Sequence, residues 1–175
     1  MNFAAAVVMA FVLAPATPLL ADASSRSEYV QTNLWAWRLG WSVWIAAALS
    51  LLWFYSWWRA RVGASHVPVV IAVFGFLADA AAETALIVYL EATAFVAFWL
   101  TGVVANGLYT IGGIWLTFAT RLGTAERIWS GVMWAAGITL SVATLTGLYL
   151  TAAVATAVLF ALFCPWCVYL AVKLR

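Results

Sequence analysis

The chain has 175 residues, of which 67% are hydrophobic and only 8% charged, with a formal net charge of +2. Ordinary soluble domains are about 25% charged, so lipid must be the solvent for much of this apolar surface. The positive charges are few and scattered, with no basic run interleaved with aromatics, which excludes the usual footprint of a nucleic-acid binder.

Six apolar stretches follow one another, at about 2–20, 37–58, 68–90, 95–119, 128–148 and 152–172. Each is close to the roughly 20 residues that cross about 30 Å of hydrocarbon as an α-helix. The runs are too long and continuous for the alternating strands of a membrane barrel. No repeat, low-complexity tract or linker divides the chain. The expected fold is an all-α integral membrane protein, residues 1–175 forming one polytopic domain. It holds six transmembrane helices in a single compact bundle, or five if the first is a cleaved signal.

The first stretch carries that ambiguity. Pro15 and Pro18 follow its apolar core, and Leu20-Ala21-Asp22-Ala23 resembles a signal-peptide cleavage region. No positive residue precedes the core, which favours a retained helix. In the second stretch, Trp35, Trp37, Trp41 and Trp44 gather at one end and Trp53, Tyr55, Trp57 and Trp58 at the other. Rings with an apolar body and a polar edge prefer the headgroup boundary, so the two groups read as interfacial girdles. The alternative is an aromatic pocket for a pigment, sterol or quinone.

Charge placement orients the bundle. Arg59 and Arg61, Arg121 and Arg127, and Lys173 and Arg175 fall on one side, while Arg26, Arg38, Asp22, Glu28 and Glu91 fall on the other. The positive-inside rule then puts the 59–67 and 120–127 loops and the C-terminus in the cytoplasm, in a bacterial-type inner (plasma) membrane. Arg38 is expected to snorkel to the outer headgroups, and His66 to mark the inner interface before the third stretch.

That third stretch contains Asp79 near its middle and Glu83 one turn further on, at i and i+4 and so on one side of the helix. Each acid costs roughly 2.5–3.5 kcal/mol at the bilayer centre, so the pair should face the bundle interior. Gly75, Ala82 and their neighbours Ala78 and Ala85 make that face small enough for another helix to approach. The fourth stretch offers a small and polar stripe, Gly102, Asn106, Thr110, Gly113 and Thr117, with Tyr109 adjacent. The two helices are antiparallel neighbours joined by a short turn, so Asp79 and Asn106 should meet at similar depth. Asn106 is expected to donate to a carboxylate and Tyr109 to donate one bond. A weaker stripe on the fifth stretch, Ser130, Trp134, Gly137, Ser141 and Thr144, extends the polar interior.

Two carboxylates one turn apart in a low dielectric resist ionising together, and no basic residue lies at their depth. The expectation is a shared proton or a bound cation, as in proton relays and ion-coupled sites. The plainer alternative is that Asn106, Tyr109 and Thr84 satisfy both acids, which then only specify helix packing.

In the last stretch, Cys164-Pro165-Trp166-Cys167 has the C-x-x-C spacing of a redox pair or a soft-metal site. Over these four residues it resembles the glutaredoxin site, but nothing else in the chain looks like a thioredoxin fold. The plain reading is two small apolar residues about a proline kink. A Cys-Cys-His site with His66 is conceivable, but no metal ligand set is assigned, and the cofactor is left unknown. Nucleotide loops, Ser-His-Asp sets and His-rich clusters do not occur. Most consistent with these residues is a transporter or permease-like protein handling a proton, cation or small ligand at Asp79, Glu83, Asn106, Tyr109 and Thr110. The alternatives are a non-catalytic accessory subunit of a larger membrane complex, and an intramembrane enzyme or binding protein acting on a lipid or polyisoprenoid. Expected partners are the lipid bilayer and either further copies of the chain or a larger membrane complex.

Overall fold

A computed structural model of the chain describes residues 2–17, 22–88 and 90–175, without the side chains of 2, 23 and 90–92. Leu20, Ala21 and the Glu91 side chain, used above for the signal-like pattern and the outer charge set, lie outside the described residues. Among those described, all regular structure is helical and there is no strand.

Among the described residues, five helices are long and apolar enough to span a membrane. The first apolar stretch is not among them. It is helical as α1 (Asn2–Val8), a π turn (Met9–Leu13) and a 3-10 turn (Ala14–Ala16). At about 1.5 Å per residue, its apolar part Phe3–Ala16 reaches about 21 Å, short of the hydrocarbon thickness. It stops at Thr17, whose ψ of 156° is the extended conformation that a following proline, here Pro18, imposes. The expected sixth span is thus not confirmed among the described residues.

Next comes α2 (Ala23–Thr32), in a segment expected to be loop. Asp22 caps it, with its Oδ1 accepting from the Ser25 N–H and the Ser24 hydroxyl, each at 2.8 Å. Tyr29 of α2 donates to the Val12 carbonyl at 2.8 Å, tying α2 onto the π turn after α1.

The spans follow as α3 (Leu34–Val62), α4 (Val67–Val88), α5 (Leu90–Trp99) continuing through a π turn (Leu100–Ala105) into α6 (Asn106–Ala119), α7 (Thr124–Leu145) and α8 (Tyr149–Lys173). Glycines set two of the ends. Gly63 is left-handed (φ 66°) and lets the Ala64 N–H close back on the Arg59 carbonyl at 3.2 Å. Gly147 (φ 73°) does the same for α7, with Leu148 N–H on the Ala143 carbonyl at 2.8 Å. That reversal ends α7 before the expected residue 148.

In the bundle, α3 packs along α4, α4 along α6 and the π turn before it, and α7 along α8 and α6. The interior has two levels. One gathers Leu13, Val30, Trp37, Trp41, Leu86 and Ala97, and the other Tyr55, Trp58, Met133, Trp134, Phe163 and Trp166.

This corrects the girdle expectation for half of its members. Trp35 and Trp53 are 79% and 71% exposed, but Trp37, Trp41, Tyr55 and Trp58 are buried. Positions 37, 41, 44, 48, 51, 55 and 58 recur at spacings of four and three, so they form one inward face of α3. Two of the buried indoles find partners, while Trp41 and Trp166 Nε1 have none. Trp37 Nε1 donates to the Leu86 carbonyl and Trp58 Nε1 to Thr120 Oγ1, each at 2.9 Å.

The basic end of the bundle is fastened by side chains. Arg59 Nη2 meets His66 Nε2 at 2.8 Å. Glu126, in the first turn of α7, pairs with Lys173 and Tyr169 at the end of α8 and also accepts the Gly123 N–H.

Candidate functional site

Helix α4 places the acids. Ala72, Gly75, Asp79, Ala82, Glu83 and Leu86 form its buried face, while Phe74, Leu77 and Val88 point outward. Gly75 is small for a reason: a methyl there would come within 3.1 Å of the Tyr109 ring and 3.2 Å of the Ala105 carbonyl. The close approach sets Tyr109 beside Asp79.

Asp79 is 4% exposed and Glu83 fully buried. Asp79 Oδ2 accepts a long hydrogen bond of 3.4 Å from the Tyr109 hydroxyl, and Oδ1 has no partner. Both Glu83 oxygens also lack one. The Thr101 hydroxyl stands beside Asp79 and is likewise buried with no hydrogen-bond partner. Buried polar groups are normally satisfied, so this is an unusual concentration of unused hydrogen-bonding capacity.

The expected bond from Asn106 to a carboxylate is not formed. Asn106 Nδ2 donates instead to the Gly137 carbonyl and to Ser141 Oγ on α7, both at 2.8 Å. The whole predicted stripe turns the same way. Methyls added at Gly102 and Gly137 would strike Thr144 and Thr110 respectively, and one at Gly113 would strike Trp134. Trp134 Nε1 donates to Thr117 Oγ1 at 2.8 Å. The predicted stripe is therefore the mate of the α7 stripe, while Thr101, Ala105, Tyr109 and Gly112, on the neighbouring face, turn to α4. The bulky side chains decide this, because Tyr109 requires Gly75 and Trp134 requires Gly113. Thr84, the other proposed partner of the acids, is exposed.

Between the helices lies a cavity of about 190 Å³. It reaches α3, α4, α6, α7 and α8 at mid-bundle. Its polar groups are Asp79, Thr101, Asn106, Tyr109, Thr110 and Thr156, the last with its hydroxyl turned onto the Ala152 carbonyl, and its aromatic walls include Trp44, Tyr55, Trp134, Phe160 and Phe163. Glu83 lies a turn further along α4 and does not line it. Four of the five residues singled out from sequence thus share one cavity. Thr101 was overlooked, although it stands two turns before Tyr109 on the same face. Trp44 and Tyr55, expected at the interface, line the interior instead; the three-and-four spacing of the α3 aromatics is the signal that places them there.

Most donors at the wall are already engaged. Tyr55 donates its hydroxyl to the Tyr109 carbonyl at 2.9 Å, Trp134 is bound to Thr117, and Asn106 uses both amide hydrogens on α7. What faces the cavity is an acceptor-rich surface with one carboxylate. No Lys, Arg or His among the described residues lines it.

Cys164 and Cys167 are free, partly buried thiols either side of Pro165 within α8. Cys167 packs against the Tyr55–Trp166 level of the core, and neither thiol lines the cavity. His66 is held by Arg59, and among the described residues no group of three His, Cys, Asp or Glu side chains is placed to hold a metal ion. The Cys-Cys-His combination is therefore not assembled. Comparison with known proteins finds no family model, curated protein or solved structure that matches the chain.

Proposed function

We propose that the chain is a transporter or permease-like protein that handles a proton, cation or small ligand at the Asp79–Glu83 pair. It would work in a bacterial-type inner membrane, with the Arg59/Arg61 end of the bundle and the C-terminus in the cytoplasm. The observation that carries this reading is that three buried carboxyl oxygens have no partner, one of them beside a cavity between the spans. A pair serving only packing would be satisfied, since each unpaired buried polar group costs about 1–3 kcal/mol. Intramembrane acids without a basic partner are the usual equipment of proton and ion pathways.

Proteoliposomes with a trapped pH indicator test it. Under an imposed membrane potential, with monovalent cations and simple amines offered outside, the wild-type chain should move protons or exchange them for a cation. Asp79→Asn and Glu83→Gln should each reduce that flux at least tenfold. Flux indistinguishable from the wild type in both variants would overturn the proposal.

A further inference from the structure

The cavity has a chemistry more specific than that of a generic proton or cation site. At about 190 Å³ it is somewhat larger than the roughly 150 Å³ apolar cavity that accepts benzene, so it suits a compact organic molecule. A bare inorganic cation would need several oxygen ligands around it, and most of this wall is apolar. Two unengaged groups of the wall can only accept: Asp79 Oδ1 and the Asn106 carbonyl left free by its two donations. Trp44 Nε1 is an unengaged donor, and the Thr101 and Thr110 hydroxyls can act either way. The remaining wall is built from rings, with Trp44 set edge-on to Phe160 at 5.6 Å between centroids. Aromatic rings around a carboxylate are what a desolvated ammonium group selects, because ring faces attract a cation within about 6 Å.

We infer that the cavity binds an organic ammonium cation with a compact apolar body, Asp79 serving as counter-charge and Trp44, Tyr55 and Trp134 as the aromatic cage. This rests on the reading of Asp79 as the working acid of a transport site, and it adds the class of ligand. The charge makes the site selective. An uncharged molecule of the same shape gains the apolar contacts and leaves the carboxylate uncompensated.

The test uses the full chain in nanodiscs, with binding followed by indole fluorescence. The probes are benzyltrimethylammonium together with a matched pair, choline and its uncharged isostere 3,3-dimethylbutanol. Benzyltrimethylammonium should bind, and choline should bind at least tenfold more tightly than the alcohol. In Asp79→Asn that preference should vanish while the alcohol is unaffected. Trp44→Leu should weaken both cations more than the alcohol. Equal affinity of the wild type for choline and the alcohol, or no binding of any cation, would overturn the inference, and neither result depends on a variant folding. The outcomes also separate the two proposals. Cation binding without Asp79-dependent flux removes the transport function and keeps the ligand class, whereas Asp79-dependent proton flux without cation binding does the reverse.

Discussion

Gly113→Ala probes the contact that sets how α6 is turned in the bundle. A methyl at this position would lie 2.6 Å from the Tyr55 hydroxyl and closer still to the Trp134 indole. Neither ring is free to withdraw. Tyr55 is held at 2.9 Å by the Tyr109 carbonyl, and Trp134 is held at 2.8 Å by Thr117 Oγ1 and packs on Phe163. Overpacking of this kind costs about 1–3 kcal/mol, and each displaced hydrogen bond adds about 0.5–1.5 kcal/mol. The expected destabilisation is about 2–5 kcal/mol. Gly131→Ala on α7 is the control, because a methyl there meets nothing within 4 Å. It should be neutral or stabilising by up to about 1 kcal/mol through helix propensity. Reversible unfolding in mixed micelles, followed by indole fluorescence and circular dichroism, measures both. Trp134→Leu should recover much of the loss in the Gly113→Ala background. If Gly113→Ala unfolds with Gly131→Ala, the α6–α7 contact described above is wrong.

Two further expectations concern carboxyl groups. Glu83→Met exchanges a fully buried acid with no partner for an apolar side chain of similar size. It should raise stability by about 1–3 kcal/mol in the same micelle assay while abolishing flux; a destabilised variant would show that the acid is satisfied in the folded chain. The Asp22 carboxyl is held below its ordinary value of 3.8, chiefly by the Ser25 backbone N–H. Its cap on α2 is accordingly at full strength above about pH 3.8 and is lost as pH falls through the lower folded value. The Ser25 amide resonance should titrate in that acid range in the wild type and stay flat in Asp22→Asn, which keeps a capping side chain without the charge. A flat wild-type profile would contradict the cap.

Much of the fold is legible in the sequence because membrane spans are written in length and apolarity, and the basic residues gather at one end of the bundle. The errors have definite physical sources. A stripe such as Gly102, Asn106, Thr110, Gly113 and Thr117 identifies a packing face but not which neighbour packs there. Both α4 and α7 present small residues at that depth, and only the placement of Tyr109 and Trp134 distinguishes them. Aromatic runs at the two ends of α3 look alike whether they face headgroups or core, and the three-and-four phase separates them. The sixth span is not confirmed because apolar composition fixes neither where a helix stops nor whether it is long enough, and Pro18 follows the last described residue of that stretch. Helix α2 was missed because its composition is polar, although Asp22 ahead of Ser24 and Ser25 is a capping signal. For the site, the acids and Tyr109 could be read from period and depth. The cavity could not, since it arises where five helices leave a gap.

The π turn before α6 sets how the segment ahead of it is rotated against that helix. In it the Asn106 N–H reaches back five residues, to the Thr101 carbonyl, so one residue more than an α-helical turn would hold is accommodated. Returning that turn to α-helical form would rotate the segment before it against α6 by about 100° and change the separation of the two parts by about 1.5 Å. Tyr109 would keep its seat against Gly75, but Thr101 would be carried away from Asp79. The composition of the carboxylate's surroundings is thus tied to a single residue of helical slack, held in the turn whose Thr101 and Gly102 line the cavity.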